Sequence, residues 1–180
     1  MSISQAEYSR LRTAVETLTK SPGVGTVEIA DGQIILALPP LRRHEHASQQ
    51  IAGQIDAQLL RTHPGYRAHH GAELASIGLG RLLRPDLIVS PENLCRDVPP
   101  HEALLVVEVV SKSNPRRDYR DKVHDYSAMG IPIYLLVDPR TGTGIVHSEP
   151  GYECREKFVF GDTITVGPWT LDTSGLLTYA

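Results

Sequence analysis

Two acidic residues stand in segments where a folding chain has least use for them. Asp86 lies in Arg84-Pro85-Asp86-Leu87-Ile88-Val89, and Glu108 lies in Leu104-Leu105-Val106-Val107-Glu108-Val109-Val110. Both segments otherwise read as short buried strands, apolar and rich in β-branched residues. A carboxylate buried without a partner is strongly destabilising. A divalent cation shared by the two carboxylates would offset that cost and would also supply chemistry.

The length of 180 residues is read as a single domain spanning 1–180, with room for a sizeable core. The net charge of −3 gives no global attraction to nucleic acid or to an anionic membrane, so any site for a polyanion must be local. Cys95 and Cys154 have no CxxC spacing, which argues against a disulfide scaffold and for a reducing cytoplasm. The N-terminal stretch is polar, and no apolar run approaches the ~20 residues needed to span a bilayer, so no signal peptide and no membrane partner are expected.

Apolar residues at Tyr8, Leu11, Val15 and Leu18 have helical spacing, and Ser21-Pro22-Gly23 stops that helix. Asp31-Gly32 between Thr26–Ala30 and Gln33–Leu38 predicts a β-hairpin. Ile51, Ile55 and Leu59 mark an amphipathic helix over His46–Leu60. Strands are expected at Tyr66–Ala75, Leu82–Val89, Leu104–Val110 and Ile131–Val137, with later ones at Ile145–Ser148, Phe158–Phe160 and Thr163–Val166. Residues 91–101 read as a polar loop. Asn114 can cap a helix that starts at Pro115 and runs to Met129, with Gly130 at its C-terminal turn. This order of elements predicts an α/β or α+β fold with a mixed central sheet.

Consecutive strands are often neighbours, so Asp86 and Glu108 are expected on adjacent strands. There they can bind one Mg²⁺, with a backbone carbonyl such as that of Val109, waters and a substrate phosphate completing the octahedron. On the following helix Tyr119, Val123 and Tyr126 form a stripe that should face the sheet. Lys122 borders this stripe, so its long stem can bring the ammonium to the carboxylates, to orient an attacking water or stabilise developing charge. Asp118, four residues earlier, can pair with it. Structural alternatives stand beside each assignment. Asp86 can cap a turn or pair with Arg84, Glu108 can form an ion pair with Lys122 or an arginine, and Lys122 can be a solvated helical lysine.

His44-Glu45-His46 offers metal-capable side chains but no third ligand at a zinc spacing, although Glu45 or His46 could face the acidic pair. His69-His70 reads as surface, and Glu73 could point into the same cleft. Gly78-Leu79-Gly80 lacks the context of a dinucleotide loop, and Ser111 and Ser113 lack the glycines of a nucleophile elbow. Lys112, Arg116, Arg117, Arg120 and Lys122 form a local basic cluster that would hold a nucleic-acid backbone near a metal, or, alternatively, a solvated helix balanced by Asp118, Asp121 and Asp125.

These residues, in order, resemble a known family. Pro85-Asp86, Val106-Val107-Glu108-Val109-Val110-Ser111, then Asp118, Lys122 and Tyr126, then Gly130-Ile131-Pro132 and Tyr134-Leu135-Leu136-Val137-Asp138 are similar to the Uma-two family of restriction-endonuclease-like proteins. The resemblance covers roughly residues 25–150. It implies the PD-(D/E)XK nuclease fold, a mixed sheet flanked by helices, here with an N-terminal helix and hairpin. It also implies a metal-dependent phosphodiesterase core in which Asp86 and Glu108 are metal ligands. The lysine usual two residues after the second acid is replaced here by Val110, and Lys122 on the following helix takes its place.

The resulting expectation is a Mg²⁺- or Mn²⁺-dependent DNA endonuclease, cytoplasmic and homodimeric. Its catalytic residues are Asp86, Glu108 and Lys122, and its metal ligands Asp86, Glu108 and Val109. Two other readings are carried forward: a catalytically silent nucleic-acid-binding or assembly module of the same fold, and a hydrolase of a small phosphorylated molecule.

Overall fold

The computed structural model describes residues 3–40, 42–112 and 115–179. Helix α1 (Gln5–Leu18) opens on a capping box, in which the Ser4 hydroxyl accepts from the Glu7 amide and the Glu7 carboxylate accepts from the Ser4 amide. The hairpin β1 (Val27–Ala30) and β2 (Gln33–Leu36) turns through Asp31 at φ 52° and Gly32 at φ 73°. Two consecutive positive φ values are what a tight hairpin turn needs, and Asp-Gly tolerates them. Helix α2 (Arg42–Thr62) follows. It begins four residues earlier than the apolar pattern suggests, because its first turn is polar.

Strands β3 (Tyr66–His69), β4 (Glu73–Ser76), β5 (Arg81–Leu83), β6 (Leu87–Pro91) and the short β7 (Asp97–Val98) come next. After β8 (Leu105–Val109), a π-helical turn at Arg117–Asp121 leads into α3 (Lys122–Ala128). Strands β9 (Ile133–Asp138), β10 (Thr143–Ser148), β11 (Cys154–Val159), β12 (Thr163–Val166) and β13 (Trp169–Asp172) complete the chain. The proposed cap residue Asn114 lies outside the described residues.

The main sheet has the order β11-β10-β9-β8-β6-β3, with β8 and β9 parallel and the other pairs antiparallel. A second sheet has the order β2-β1-β5-β4-β7, and β12 and β13 form a ribbon. The mixed α/β architecture read from the sequence is therefore correct. Two expected single strands are each divided between the sheets: Tyr66–Ala75 is β3 and β4, and Leu82–Val89 is β5 and β6. Pro85 explains the second division, since it lacks a ladder donor and restricts Arg84. Arg84-Pro85-Asp86 is thus the crossing from one sheet to the other.

Strand alternation assigns the two faces of the main sheet. Leu87, Val89, Leu105, Val107, Val109, Leu135 and Val137 pack with Ile51, Ile55 and Leu59 of α2 and with Trp169 of β13. Ile88, Val106, Val110, Tyr134 and Leu136 pack on the opposite face with Tyr126 of α3 and Leu74 and Leu83 of the second sheet. Glu108 shares the parity of Val106 and Val110, so its side chain enters the α3 layer.

His147 of β10 is buried in that layer, its ring stacked on Tyr134 at 5.5 Å between centroids and 13° between planes. Burial, with Arg155 adding to it, pushes its pKa down to about 4. The unfolded chain therefore takes up a proton here first. Stability is fully present above about pH 6.5 and is lost as pH falls toward the folded value, by on the order of 2 kcal/mol from this residue. Urea unfolding at pH 7.5 and pH 5 should show this loss, and His147→Phe should flatten it.

Candidate active site

The site is built around Glu108. With only 3% of its surface exposed, its carboxylate must find donors inside the protein. Lys122 Nζ donates to Glu108 Oε1 at 2.7 Å and the Tyr126 hydroxyl to the same oxygen at 2.5 Å. Lys122 lies further inward than a bordering position would put it. The π-helical turn at Arg117–Asp121 inserts backbone before α3 and rotates the helix face. Asp118, Lys122, Asp125 and Tyr126 are consequently buried, while Tyr119 and Val123 are only partly so. The expected stripe of Tyr119, Val123 and Tyr126 is therefore displaced, and Lys122 takes a central place in it.

The Lys122 ammonium also lies 3.5 Å from Asp118 Oδ1 and 3.8 Å from Glu28 Oε1. Glu28, in β1, forms an ion pair with Arg117 at 2.6 Å and accepts from the Arg84 amide at 2.7 Å. Sequence reasoning missed Glu28, although an acid between Val27 and Ile29 is the same kind of signal as Glu108. In a hairpin, however, one polar position per pair reads as a solvent face.

Asp86 arrives from the crossing between the sheets. Its Oδ2 accepts the Val109 amide at 2.7 Å, and its Oδ1 is 2.7 Å from His44 Nε2 at the start of α2. The alternative partner Arg84 turns away to Glu73, at 3.0 Å from its Nε. Glu73 is occupied by Arg12 and Arg84 in a separate ionic group, so it does not join this cleft. His44, not Glu45 or His46, faces the acidic pair; Glu45 is exposed. His70 is exposed, as read from the sequence, and also borders the site, with its Nδ1 3.0 Å from the Asp86 carbonyl. The basic cluster divides. Arg117 and Lys122 turn inward, whereas Lys112, Arg116 and Arg120 are exposed.

Burial pushes the Glu108 carboxyl well up, opposed by Lys122 and reinforced by Asp86, Asp118 and Glu28. Burial raises Asp118 as well, again opposed by Lys122 and reinforced by Asp86. Burial works against the Lys122 ammonium, but Glu108, Glu28 and Asp118 together hold its pKa above the ordinary lysine value. Lys122 is therefore a cation at neutral pH and no proton acceptor.

Within this group the carboxylates Glu28, Asp86, Glu108 and Asp118 outnumber the cations Lys122 and Arg117. An excess of hard oxygen donors fits a hard divalent cation. Each Asp86 oxygen retains a lone pair beyond its hydrogen bond, and Glu108 retains Oε2. Among the described residues no group of three His, Cys, Asp or Glu side chains is arranged to hold a metal by itself, so such an ion would keep several waters. Val109, expected to offer its carbonyl, has its amide committed to Asp86.

A family model described as "Putative restriction endonuclease", Uma2, matches residues 13–174. The chain belongs to the Uma2 family. The match extends beyond the 25–150 stretch read from motifs and takes in the C-terminal part of α1 and the β12–β13 ribbon. The Uma2 chain is also similar to a crystal structure from Anabaena variabilis ATCC 29413, described as "a putative nuclease belonging to DUF820". The TM-score is 0.69 at 17% sequence identity, covering 90% of this chain and 96% of that one. At that identity the likeness carries the fold. No curated protein matches the chain. Family and fold together support a nuclease-like function for this Uma2 member.

Replacing Lys122 by methionine leaves the buried side chains of Glu28, Glu108 and Asp118 without their shared cation. Lys122→Met should lower stability by about 3–5 kcal/mol, with partial recovery in the Lys122→Met/Glu108→Gln double variant. Urea unfolding measures both, and a loss under about 1 kcal/mol would mean the group behaves as a surface ion pair.

Proposed function

We propose that the chain is a Mg²⁺- or Mn²⁺-dependent DNA endonuclease. The observation that carries this reading is the meeting of Asp86 and Glu108 at one end of the main sheet, with Lys122 hydrogen-bonded to Glu108. Asp86 and Glu108 would hold the cation. When bound, it would polarise a phosphate and lower the pKa of a water.

Lys122, permanently charged, is suited to stabilising negative charge that develops on the phosphate. Tyr126 holds Glu108 in place from the other side. The exposed cations Arg42, Arg43, Lys112, Arg116 and Arg120 lie on segments leading to His44, Val110 and Asp118, where they favour a phosphate backbone over a small ligand. We further infer a homodimer, in which two sites would address the two strands together, and a reducing cytoplasm, consistent with Cys95 and Cys154 as free thiols. Among the described residues no helix is long and apolar enough to cross a membrane.

One observation favours the silent binding module instead: Glu108 is nearly enclosed, and one of its oxygens already serves two donors. Incubating supercoiled and linear DNA with Mg²⁺, Mn²⁺ or EDTA separates the two. Metal-dependent cleavage is expected, falling on the order of 100-fold or more in Asp86→Asn, Glu108→Ala and Lys122→Ala. DNA binding without cleavage under any metal would establish the silent module.

A further inference from the structure

Asp86 is reached by a chain of contacts that starts far away in sequence. Leu176 is buried in the α2-side core, and Tyr179 is fixed by its amide donating to the Pro139 carbonyl at 2.7 Å. The Lys112 ammonium lies 5.4 Å from the centre of its ring. This places the Tyr179 hydroxyl at the end of β8, where it donates to the Val110 carbonyl at 2.9 Å and lies 3.4 Å from His44 Nδ1. The other ring nitrogen of His44, Nε2, is 2.7 Å from Asp86 Oδ1.

We propose that Tyr179 and His44 form a positioning relay for Asp86, making the segment that ends in Tyr179 a working part of the metal site. The proposal rests on Asp86 being a metal ligand. The physical argument concerns orientation. One hydrogen bond, from the Val109 amide, leaves a carboxylate free to rotate about it. A second on the other oxygen, from His44 Nε2, fixes its plane and directs the remaining lone pairs. An imidazole can do this only if its ring is itself held. His44 is nearly buried at 9% exposure, and the Tyr179 hydroxyl stands 3.4 Å from its far nitrogen, where its single proton can turn from the Val110 carbonyl to the Nδ1 lone pair. Neither residue touches the reacting atoms, so both act through Asp86. Groups that orient a metal ligand in this way typically change metal affinity about 10- to 100-fold when removed.

The test is Mn²⁺ binding to the full chain, without DNA, by calorimetry or by the electron paramagnetic resonance signal of free Mn²⁺. Melting curves would be recorded beside it. His44→Ala should weaken Mn²⁺ binding about 10- to 100-fold. His44→Gln, whose amide N–H can reach Asp86, should recover a substantial part. Tyr179→Phe, which keeps the ring and removes only the hydroxyl, should weaken binding about 3- to 10-fold, with no more than the modest fall in melting temperature that losing its bond to the Val110 carbonyl brings. Wild-type binding with equal affinity in all variants would overturn the relay and leave the metal reading intact. A His44→Gln variant as weak as His44→Ala would assign the loss to packing and also overturn it. No uptake of Mn²⁺ by the wild type would overturn the metal reading and the relay with it.

Discussion

The architecture turns on one ammonium group among carboxylates. Lys122 belongs to α3, Glu108 to the main sheet and Glu28 to the hairpin sheet, and its nitrogen is the point at which all three meet. Burying it alone would be strongly unfavourable, as would burying any of the acids alone. Their mutual dependence defines how α3 and the second sheet sit on the main one. The apolar contacts of Tyr126, Ile88 and Leu83 supply adhesion in this layer, but they would tolerate sliding. The ionic group does not, because a displacement of an ångström or two leaves a charge unmatched.

The features legible from sequence were those written in local pattern. The Asp-Gly hairpin, the α2 stripe of Ile51, Ile55 and Leu59, and the apolar run around Glu108 each carry their own periodicity. Glu108 was visible because an acid in an apolar strand contradicts its surroundings; Asp86 drew notice for the same reason but lies half-buried in the crossing just before β6, not on a strand beside Glu108 as expected. The division of Leu82–Val89 between two sheets was signalled by Arg84-Pro85-Asp86, but the apolar residues on either side read as one strand. Nothing in the segment said which strand would pair with which.

What escaped depended on geometry with no local signature. A π-helical turn arises from competition between packing and helix continuity, so the inward rotation of Lys122 could not be read from spacing at i and i+4. The pairing of His44 with Asp86 spans two elements, and nothing at the start of α2 distinguishes His44 from its neighbours Glu45 and His46. Glu28 was hidden by the ordinary meaning of polar residues in a hairpin. In each case the sequence supplied the chemistry and the tertiary arrangement chose which side chain would use it.

The α2 face of the main sheet has a temporal consequence. Its core includes Ile164, Val166, Trp169, Leu171 and Leu176, which close over helix residues placed more than a hundred positions earlier; Trp169 Nε1, for example, donates to Thr62 Oγ1. As the chain leaves the ribosome, α2 and the middle strands emerge with their apolar surface uncovered and must wait for the β12–β13 ribbon to seal it. Until then that apolar surface stays open to solvent, and closure of this core is timed by the synthesis of the β12–β13 ribbon.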